Sequence, residues 1–319
     1  MKPESILITG ACGQIGTELA LSLRQRYGKN AVVVSDVREP QGELADGPFE
    51  MFNVTSEKDL ERLHKQYGFT QIYHLAALLS ATGEKNPLFT WKLNMDSLLH
   101  VLELARQYPI KVYWPSSIAV FGPETPANHT PQHTVITPRT VYGISKLSGE
   151  HWCKYYYDRY NVDVRSIRYP GLISYKTPAG GGTTDYAVDI FYQAIDKGYY
   201  ECFLTENTFL PMMYMPDAIR ATLELMDSPK ENIKNRWSYN LAGISFSPAQ
   251  LAAEIKKLIP DFSIAYKPDF RQKIADTWPN SIDDYEAQQD WGWKNAYDLS
   301  EMTNDMIKNL KIKLKSSAQ

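Results

Sequence analysis

The chain has little cysteine: only Cys12, Cys153 and Cys202 occur in 319 residues, far apart and odd in number. That excludes a disulfide framework and a clustered cysteine–zinc site, and it predicts a reducing compartment. An excess of one charge is also missing, since 34 Lys and Arg face 37 Asp and Glu for a formal net charge of -3. Such a balance creates no long-range field to gather nucleic acid or an anionic membrane, so the expected ligand is small and read locally. No apolar run approaches the ~18 residues of a membrane span. The polar start Met1–Glu4, followed at once by the apolar run Ser5–Thr9, predicts no signal or transit peptide. The expected location is the cytoplasm, or the mitochondrial matrix in a eukaryote. Internal repeats and low-complexity linkers are lacking as well.

What is present is a chain 43% hydrophobic, longer than an average domain and with ample apolar material for a core. Short β-branched runs alternate with helical patterns through the first half, the signature of a parallel sheet covered by helices. Candidate strands are Ser5–Thr9, Ala31–Ser35, Gln71–Leu75, Lys111–Trp114 and Asp163–Arg168, with another around Phe49–Phe52. Helical patterns cover Gln14–Arg26, Glu57–Gln66, Phe89–Gln107 and Tyr142–Arg159. Beyond Pro170 the texture turns irregular. A short strand ending in a turn is expected from Pro211 to Pro216, then a helix Asp217–Met226 and a strand Trp237–Leu241 returning to the sheet. Ser247-Pro248 reads as an N-cap with proline at the first helical position, opening a helix through Leu258. A strand at Ser263–Tyr266 follows, and a last helix ends in Lys308, Lys311, Lys313 and Lys315, expected to be a solvated, frayed terminus.

Directly after the first strand stands Gly10-Ala-Cys-Gly13-Gln14-Ile15-Gly16, opening the first helix. Glycine removes the Cβ where the chain turns sharply and where backbone must approach a pyrophosphate; the helix start adds N–H donors and a positive dipole end. Glycine trios also mark ordinary tight turns, so context decides. Asp36 closes the next strand, twenty positions past Gly16, where a carboxylate binds the adenosine ribose hydroxyls and repels a 2′-phosphate. NAD is therefore expected over NADP, although Arg38 stands two residues on. Asn53-Val54 is read equally as an adenine contact and as a plain turn, and Cys12 as a small residue filling the loop.

Tyr142 and Lys146 stand at i and i+4, neighbours on one helical face. A cation beside a phenol favours the tyrosinate, and the expectation is a tyrosine pKa lowered from about 10 toward neutrality. Among 21 tyrosines this spacing arises about once by chance, so its position must supply the specificity. Just upstream, Trp114-Pro-Ser116-Ser117 ends a strand, where open α/β sheets place their ligands. Ser117 is the candidate to bond the substrate oxygen, and Ser116 reads as its neighbour in the turn.

These features together resemble the extended short-chain dehydrogenase/reductase family: the GxxGxxG loop, Asp36, His74-Leu75-Ala76-Ala77, Asn94, Ser117, Tyr142 with Lys146, and Arg168-Tyr169-Pro-Gly171. The resemblance implies an α/β, Rossmann-type doubly wound parallel sheet with a smaller C-terminal substrate-binding lobe. It implies an NAD-binding domain over 1–170 completed by about 211–243, a substrate lobe over 171–210 and 244–300, and a C-terminal helix and tail over 301–319. Leu75, Ala76, Ala77, Asn94, Ser116, Lys146 and Tyr169 become expected cofactor contacts.

Within that family the strings around Leu79–Glu84, Ala179–Asp185, Asp276–Pro279 and Asp290–Trp293 resemble its L-threonine 3-dehydrogenase branch. The resemblance implies L-threonine as substrate, oxidised with NAD at its β-carbon, and a homodimer through the two long helices. From the residues alone, a small zwitterion suits Gly180–Gly182 as backbone donors, Thr183 and Thr184 as hydroxyl donors, Asp185 as a partner for an ammonium, and Trp278 as a cover. Ser80 and Gly181 join this set by resemblance. Each also has a bland reading: a flexible loop, helix capping, a core tryptophan. A nucleotide-sugar epimerase or dehydratase is the alternative, and Arg271 a candidate diphosphate partner for it. A catalytically silent NAD-sensing scaffold is a third, disfavoured by the Tyr-Lys pair. His129 and His133 sit in an irregular loop, so no metal is expected.

Overall fold

The computed structural model describes residues 3–177 and 182–317. In chain order the first elements are β1 (Ile6–Thr9), α1 (Gln14–Tyr27), β2 (Val32–Asp36), β3 (Phe49–Met51), α2 (Glu57–Tyr67), β4 (Gln71–His74), α3 (Ser80–Gly83), α4 (Pro87–Gln107), β5 (Lys111–Tyr113), β6 (Ser116–Ser117), α5 (Val141–Tyr160), β7 (Val164–Arg165) and β8 (Ile167–Tyr169). There follow β9 (Gly171–Ile173), α6 (Tyr186–Lys197), β10 (Tyr199–Cys202), β11 (Leu210–Tyr214), α7 (Met215–Asp227), β12 (Tyr239–Asn240), β13 (Ile244–Phe246), α8 (Pro248–Leu258), β14 (Ser263–Tyr266), α9 (Phe270–Ala275), α10 (Tyr285–Trp291) and α11 (Leu299–Ser317).

Local chemistry sets many of these boundaries. Ser56 caps α2 by accepting from Asp59 N–H, and Gly68 ends the helix at φ 64°. Asn86 caps α4 ahead of Pro87 at the first helical position, and Thr140 caps α5 by accepting from Gly143 N–H. A reciprocal Ser247–Gln250 capping box opens α8, as its sequence predicts.

The chain divides into two compact units. The first comprises Met1–Val120, Thr140–Arg168 and Ile219–Tyr239. Its centre is a six-stranded sheet in the order β3-β2-β1-β4-β5-β7, with every pairing parallel. The fold is Rossmann-type. Strand order reverses between β1 and β4, and a switch point of this kind opens a crevice beyond the strands' carboxyl ends. The loops leaving β1 and β4 are the glycine loop and Leu75–Ala77. Leu7, Ile72, Val112, Leu98, Trp114 and Cys153 belong to the apolar core that seats the helices on the sheet.

The second unit comprises Phe121–Arg139, Tyr169–Ala218 and Asn240–Gln319. It holds a three-stranded sheet, β13-β11-β9, and a parallel pair, β10-β14. Its own core includes Tyr186, Phe191, Met212, Phe246, Leu251 and Met306. The segment Phe121–Arg139 enters it from within the first 170 residues; Gly122 is indispensable there, since a Cβ would lie 1.8 Å from the Thr137 carbonyl oxygen.

Three sequence expectations are corrected. The single strand Asp163–Arg168 breaks at Ser166, because β7 pairs with β5 while β8 joins a separate sheet ordered β12-β8-β6. The strand around Trp237–Leu241 shrinks to β12 and stays out of the six-stranded sheet, as does β11, which runs straight into α7 without the expected turn. The terminal lysines are not simply solvated: Lys313 Nζ donates to the Tyr175 and Lys176 carbonyls at 3.1 and 2.8 Å, and burial lowers its pKa.

Candidate active site

Gly10 turns the chain at φ 69°, and a Cβ on it would stand 2.7 Å from Ala76 N. The glycine loop and the loop after β4 are thus backbone against backbone. A Cβ at Gly16 would lie 2.5 Å from the Gly10 carbonyl oxygen, so this glycine lets α1 press onto the loop. Gly13 is the N-cap of α1 and supplies no side-chain cap; no acidic residue stands in the first turn. The positive end of the helix is therefore left for an external anion. Gln14 adds a buried amide nitrogen, Nε2, with no hydrogen-bond partner, and Ile15 beside it is partly exposed.

Asp36 is buried at the end of β2, where Oδ2 accepts from Cys12 N–H at 3.0 Å and Oδ1 from Arg38 N–H at 3.1 Å. The Arg38 guanidinium folds back to donate to the Cys12 carbonyl at 3.1 Å, tying β2 to the glycine loop. Asn53 is exposed, and its Oδ1 accepts from Thr55 N–H and hydroxyl at 3.0 and 2.9 Å. Its geometry is that of a turn, while Val54 enters the core. His74 is fully buried between Thr9 on β1 (2.8 Å) and Ser97 on α4 (3.0 Å), and burial pushes its imidazole down to about 3, so it is neutral. Leu75, Ala76 and Ala77 remain partly exposed beyond it. Asn94 spends its amide on both backbone groups of Leu78 (2.8 and 3.2 Å) and on Ser145 Oγ (3.2 Å), fixing the end of that loop.

Helix α5 carries Tyr142 and Lys146. Lys146 is buried, its Nζ 5.5 Å from the Tyr142 ring centroid, 4.5 Å from that of Trp114, and donating to the Pro115 carbonyl at 2.5 Å. Burial pushes its ammonium down to about 7, opposed by Cys153 and Glu150. Tyr142 is partly exposed as a residue, yet desolvation of its phenol pushes the pKa up to about 12, with the Ser117 hydrogen bond opposing. The expected fall toward neutrality is therefore not found in the chain alone: desolvation of the phenol outweighs the Ser117 hydrogen bond.

The adjacent serines divide their work. Ser116 is buried and donates to Glu150 Oε1 at 2.5 Å, whereas Ser117 stays partly exposed, accepting from Ala119 N–H at 3.2 Å. Glu150 is also held by Arg168 through two bonds of 2.8 and 2.7 Å. Sequence reading missed Glu150, although i, i+4 and i+8 spacing from Tyr142 through Lys146 places it on the same helical face. Ser80 is buried at the start of α3.

The remaining expected residues lie in the second unit or beyond the described residues. Gly181 is outside them. Tyr169 is buried, its hydroxyl donating to the Ala218 carbonyl at 3.4 Å. Thr183 is 1% exposed, with a hydroxyl that has no partner, and Thr184 packs its side chain on Gly171. Asp185 accepts from Gly182 N–H at 2.5 Å; it sits at the N-cap of α6 without capping it. Trp278 packs against that unit's core. Arg271 is paired with Asp269 at 2.7 Å and lies over the Phe203 ring.

The sequence profile of the NAD dependent epimerase/dehydratase family matches residues 6–242. The chain belongs to that family. A family member from Staphylococcus saprophyticus, an uncharacterized epimerase/dehydratase, is 46% identical over 319 residues, covering 99% of this chain and 100% of its own. Among solved structures, an L-threonine dehydrogenase from Cupriavidus necator in its holo form is 59% identical with a TM-score of 0.94, covering 96% of this chain and 99% of that one. The L-threonine dehydrogenase of Clostridium difficile is 46% identical with a TM-score of 0.96, covering 98% and 99%.

The residues present fit the family's dinucleotide. Gly10 and Gly16 leave no room for side chains, the start of α1 is uncapped, Gln14 Nε2 is an orphaned donor and Asp36 closes β2, where folds of this type carry the acid for the adenosine ribose. Among the described residues, no group of three or more His, Cys, Asp or Glu side chains could hold a metal ion, and no helix is long and apolar enough to cross a membrane.

Proposed function

We propose that this chain oxidises L-threonine at its β-carbon to 2-amino-3-oxobutanoate with NAD, a step of threonine breakdown toward glycine, as an L-threonine 3-dehydrogenase. The observation that carries the reading is the likeness to two L-threonine dehydrogenases over at least 96% of the chain; the generic site alone is common to the family's many chemistries. The glycine loop, Asp36 and the Ala76-Ala77 segment would hold NAD, with Lys146 on its nicotinamide ribose. Bound there, NAD supplies a hydride acceptor and a positive charge that favours a tyrosinate nearby.

Ser117 bonds the substrate hydroxyl and orients it. Tyr142, as tyrosinate, removes the hydroxyl proton, and Lys146 stabilises the negative phenolate while it does so. Since burial sets the Tyr142 phenol near 12 in the chain alone, the base form gains population as pH rises. The rate therefore climbs toward alkaline pH and fails in acid. The Thr183–Asp185 segment takes the amino-acid end, with hydroxyls for the carboxylate and Asp185 for the ammonium, and Trp278 excludes water.

The partner surface we propose is α4 with α5, which leave Leu88, Trp91, Trp152 and Tyr155 exposed and would pair with a second copy; light scattering that finds a monomer refutes this. The cytoplasm supplies both substrate and cofactor. Purified protein with L-threonine and NAD should generate reduced cofactor, read by its absorbance. No signal, with turnover of a UDP-sugar instead, would refute the reading in favour of an epimerase.

A further inference from the structure

We infer that Trp114 is a positioning residue for Lys146: its indole is the platform on which the lysine ammonium is held beside Tyr142. The geometry of this inference is independent of the substrate, and its kinetic consequence rests on the dehydrogenase reading above.

Trp114 follows β5, fixed by its N–H donating to the Arg165 carbonyl at 3.0 Å, and is 4% exposed. Lys146 Nζ stands 4.5 Å from the indole centroid, within the range of a cation–π contact. Lys146 Nζ also donates a hydrogen bond to the carbonyl of the residue after Trp114, Pro115. A buried ammonium stripped of water needs such replacements. The nearest acidic counter-charge, Glu150, acts on it only at longer range and is shared with other partners. On α5, Glu150 is held by Arg168 and Ser116, while burial keeps Cys153 a neutral thiol and raises the pKa of Tyr142; from β4, His74 is neutral. The indole face, at 4.5 Å, is nearer the ammonium than the Tyr142 ring at 5.5 Å, and with the Pro115 carbonyl it makes the direct contacts.

Helix α5 is shaped to this platform. A Cβ at Gly149 would stand 2.3 Å from Trp114 Cη2 and 3.0 Å from Leu98 Cδ2, so only glycine lets the helix settle onto the ring.

The first test reads the contact without turnover. In protein labelled with fluorotryptophan, the fluorine resonance of Trp114, identified among the seven tryptophans by its loss in Trp114→Phe, should titrate with pH and stop titrating in Lys146→Met. A resonance that ignores pH, or titrates alike in Lys146→Met, overturns the inference. The second test reads rate. Trp114→Leu should move the acid limb of kcat/KM upward by on the order of one pH unit and lower kcat, leaving KM for L-threonine unchanged. Trp114→Phe, which keeps an aromatic face, should restore most of the wild-type profile, and Gly149→Ala, which displaces the ring, should follow Trp114→Leu. An unmoved acid limb in all three, with rate and thermal stability falling together, would make Trp114 core filler. If the unaltered chain turns over no L-threonine, the functional reading fails and the fluorine titration alone decides the platform.

Discussion

The candidate cofactor platform in the first unit and the candidate amino-acid segment in the second satisfy their polar groups differently. In the first, Asp36, Asn94, Ser116 and Glu150 each have specific partners. In the second, the Thr183 and Tyr186 hydroxyls are buried without a partner, and Asp185 turns onto its own loop's backbone. A buried hydroxyl left unpaired costs about 1–3 kcal/mol. In the segment we assign to the amino acid the unpaired groups are hydroxyls, whereas the cofactor platform leaves the Gln14 amide nitrogen unpaired, set among side chains that already have partners. Such a division suits a cofactor common to a family and a substrate particular to one branch.

The comparison breaks most sharply at the tyrosine. Tyr142→Phe should lower kcat by about 10²–10⁴-fold with NAD affinity, measured by calorimetry, nearly unchanged; surviving turnover would remove the phenol from the mechanism. Gly16→Ala forces a methyl to 2.5 Å from the Gly10 carbonyl oxygen, an overpacking expected to cost about 1–3 kcal/mol of stability and to weaken NAD binding. Denaturant unfolding and calorimetry would read both, and a neutral result would mean the loop is not rigid.

In the second unit the expected effects are smaller and of another kind. Asp185→Asn should raise KM for L-threonine about tenfold, the loss of one charge-assisted interaction, while NAD affinity stays put. A change in NAD affinity instead would assign Asp185 to the cofactor. Thr183→Val should raise stability by up to about 1 kcal/mol, since it deletes an unpaired buried hydroxyl, yet raise KM for L-threonine. Should stability and KM both stay unchanged, the unfinished pairing in this unit has no bearing on substrate.

Much of the first unit was legible along the chain because its signals are local. The glycine trio, the strand before it, the helix after it and Asp36 fall within three dozen residues, and each follows from backbone sterics or periodicity. The Ser247-Pro248 cap fixed the start of α8 for the same reason, whereas α4 starts at Pro87 behind the Asn86 cap, two residues before the expected Phe89. Less legible were the places where distant segments meet. That Asp163–Arg168 divides between two sheets depends on Tyr239, whose N–H reaches the Ser166 carbonyl at 2.9 Å across seventy-odd positions. Lys313, counted among solvated lysines, finds carbonyl partners at Tyr175 and Lys176.

The sequence alone therefore determined the parallel α/β class, the glycine-rich turn between β1 and α1, and the helical face bearing Tyr142 and Lys146, because spacing along a regular backbone dictates them. Only the tertiary structure decided how those groups ionise. The i, i+4 spacing predicts a cation lowering a phenol's pKa; burial instead raises Tyr142 to about 12 and lowers Lys146 to about 7. Desolvation depends on what the rest of the chain brings around a group, as Trp114 and Gly149 do for Lys146, and no local spacing encodes it.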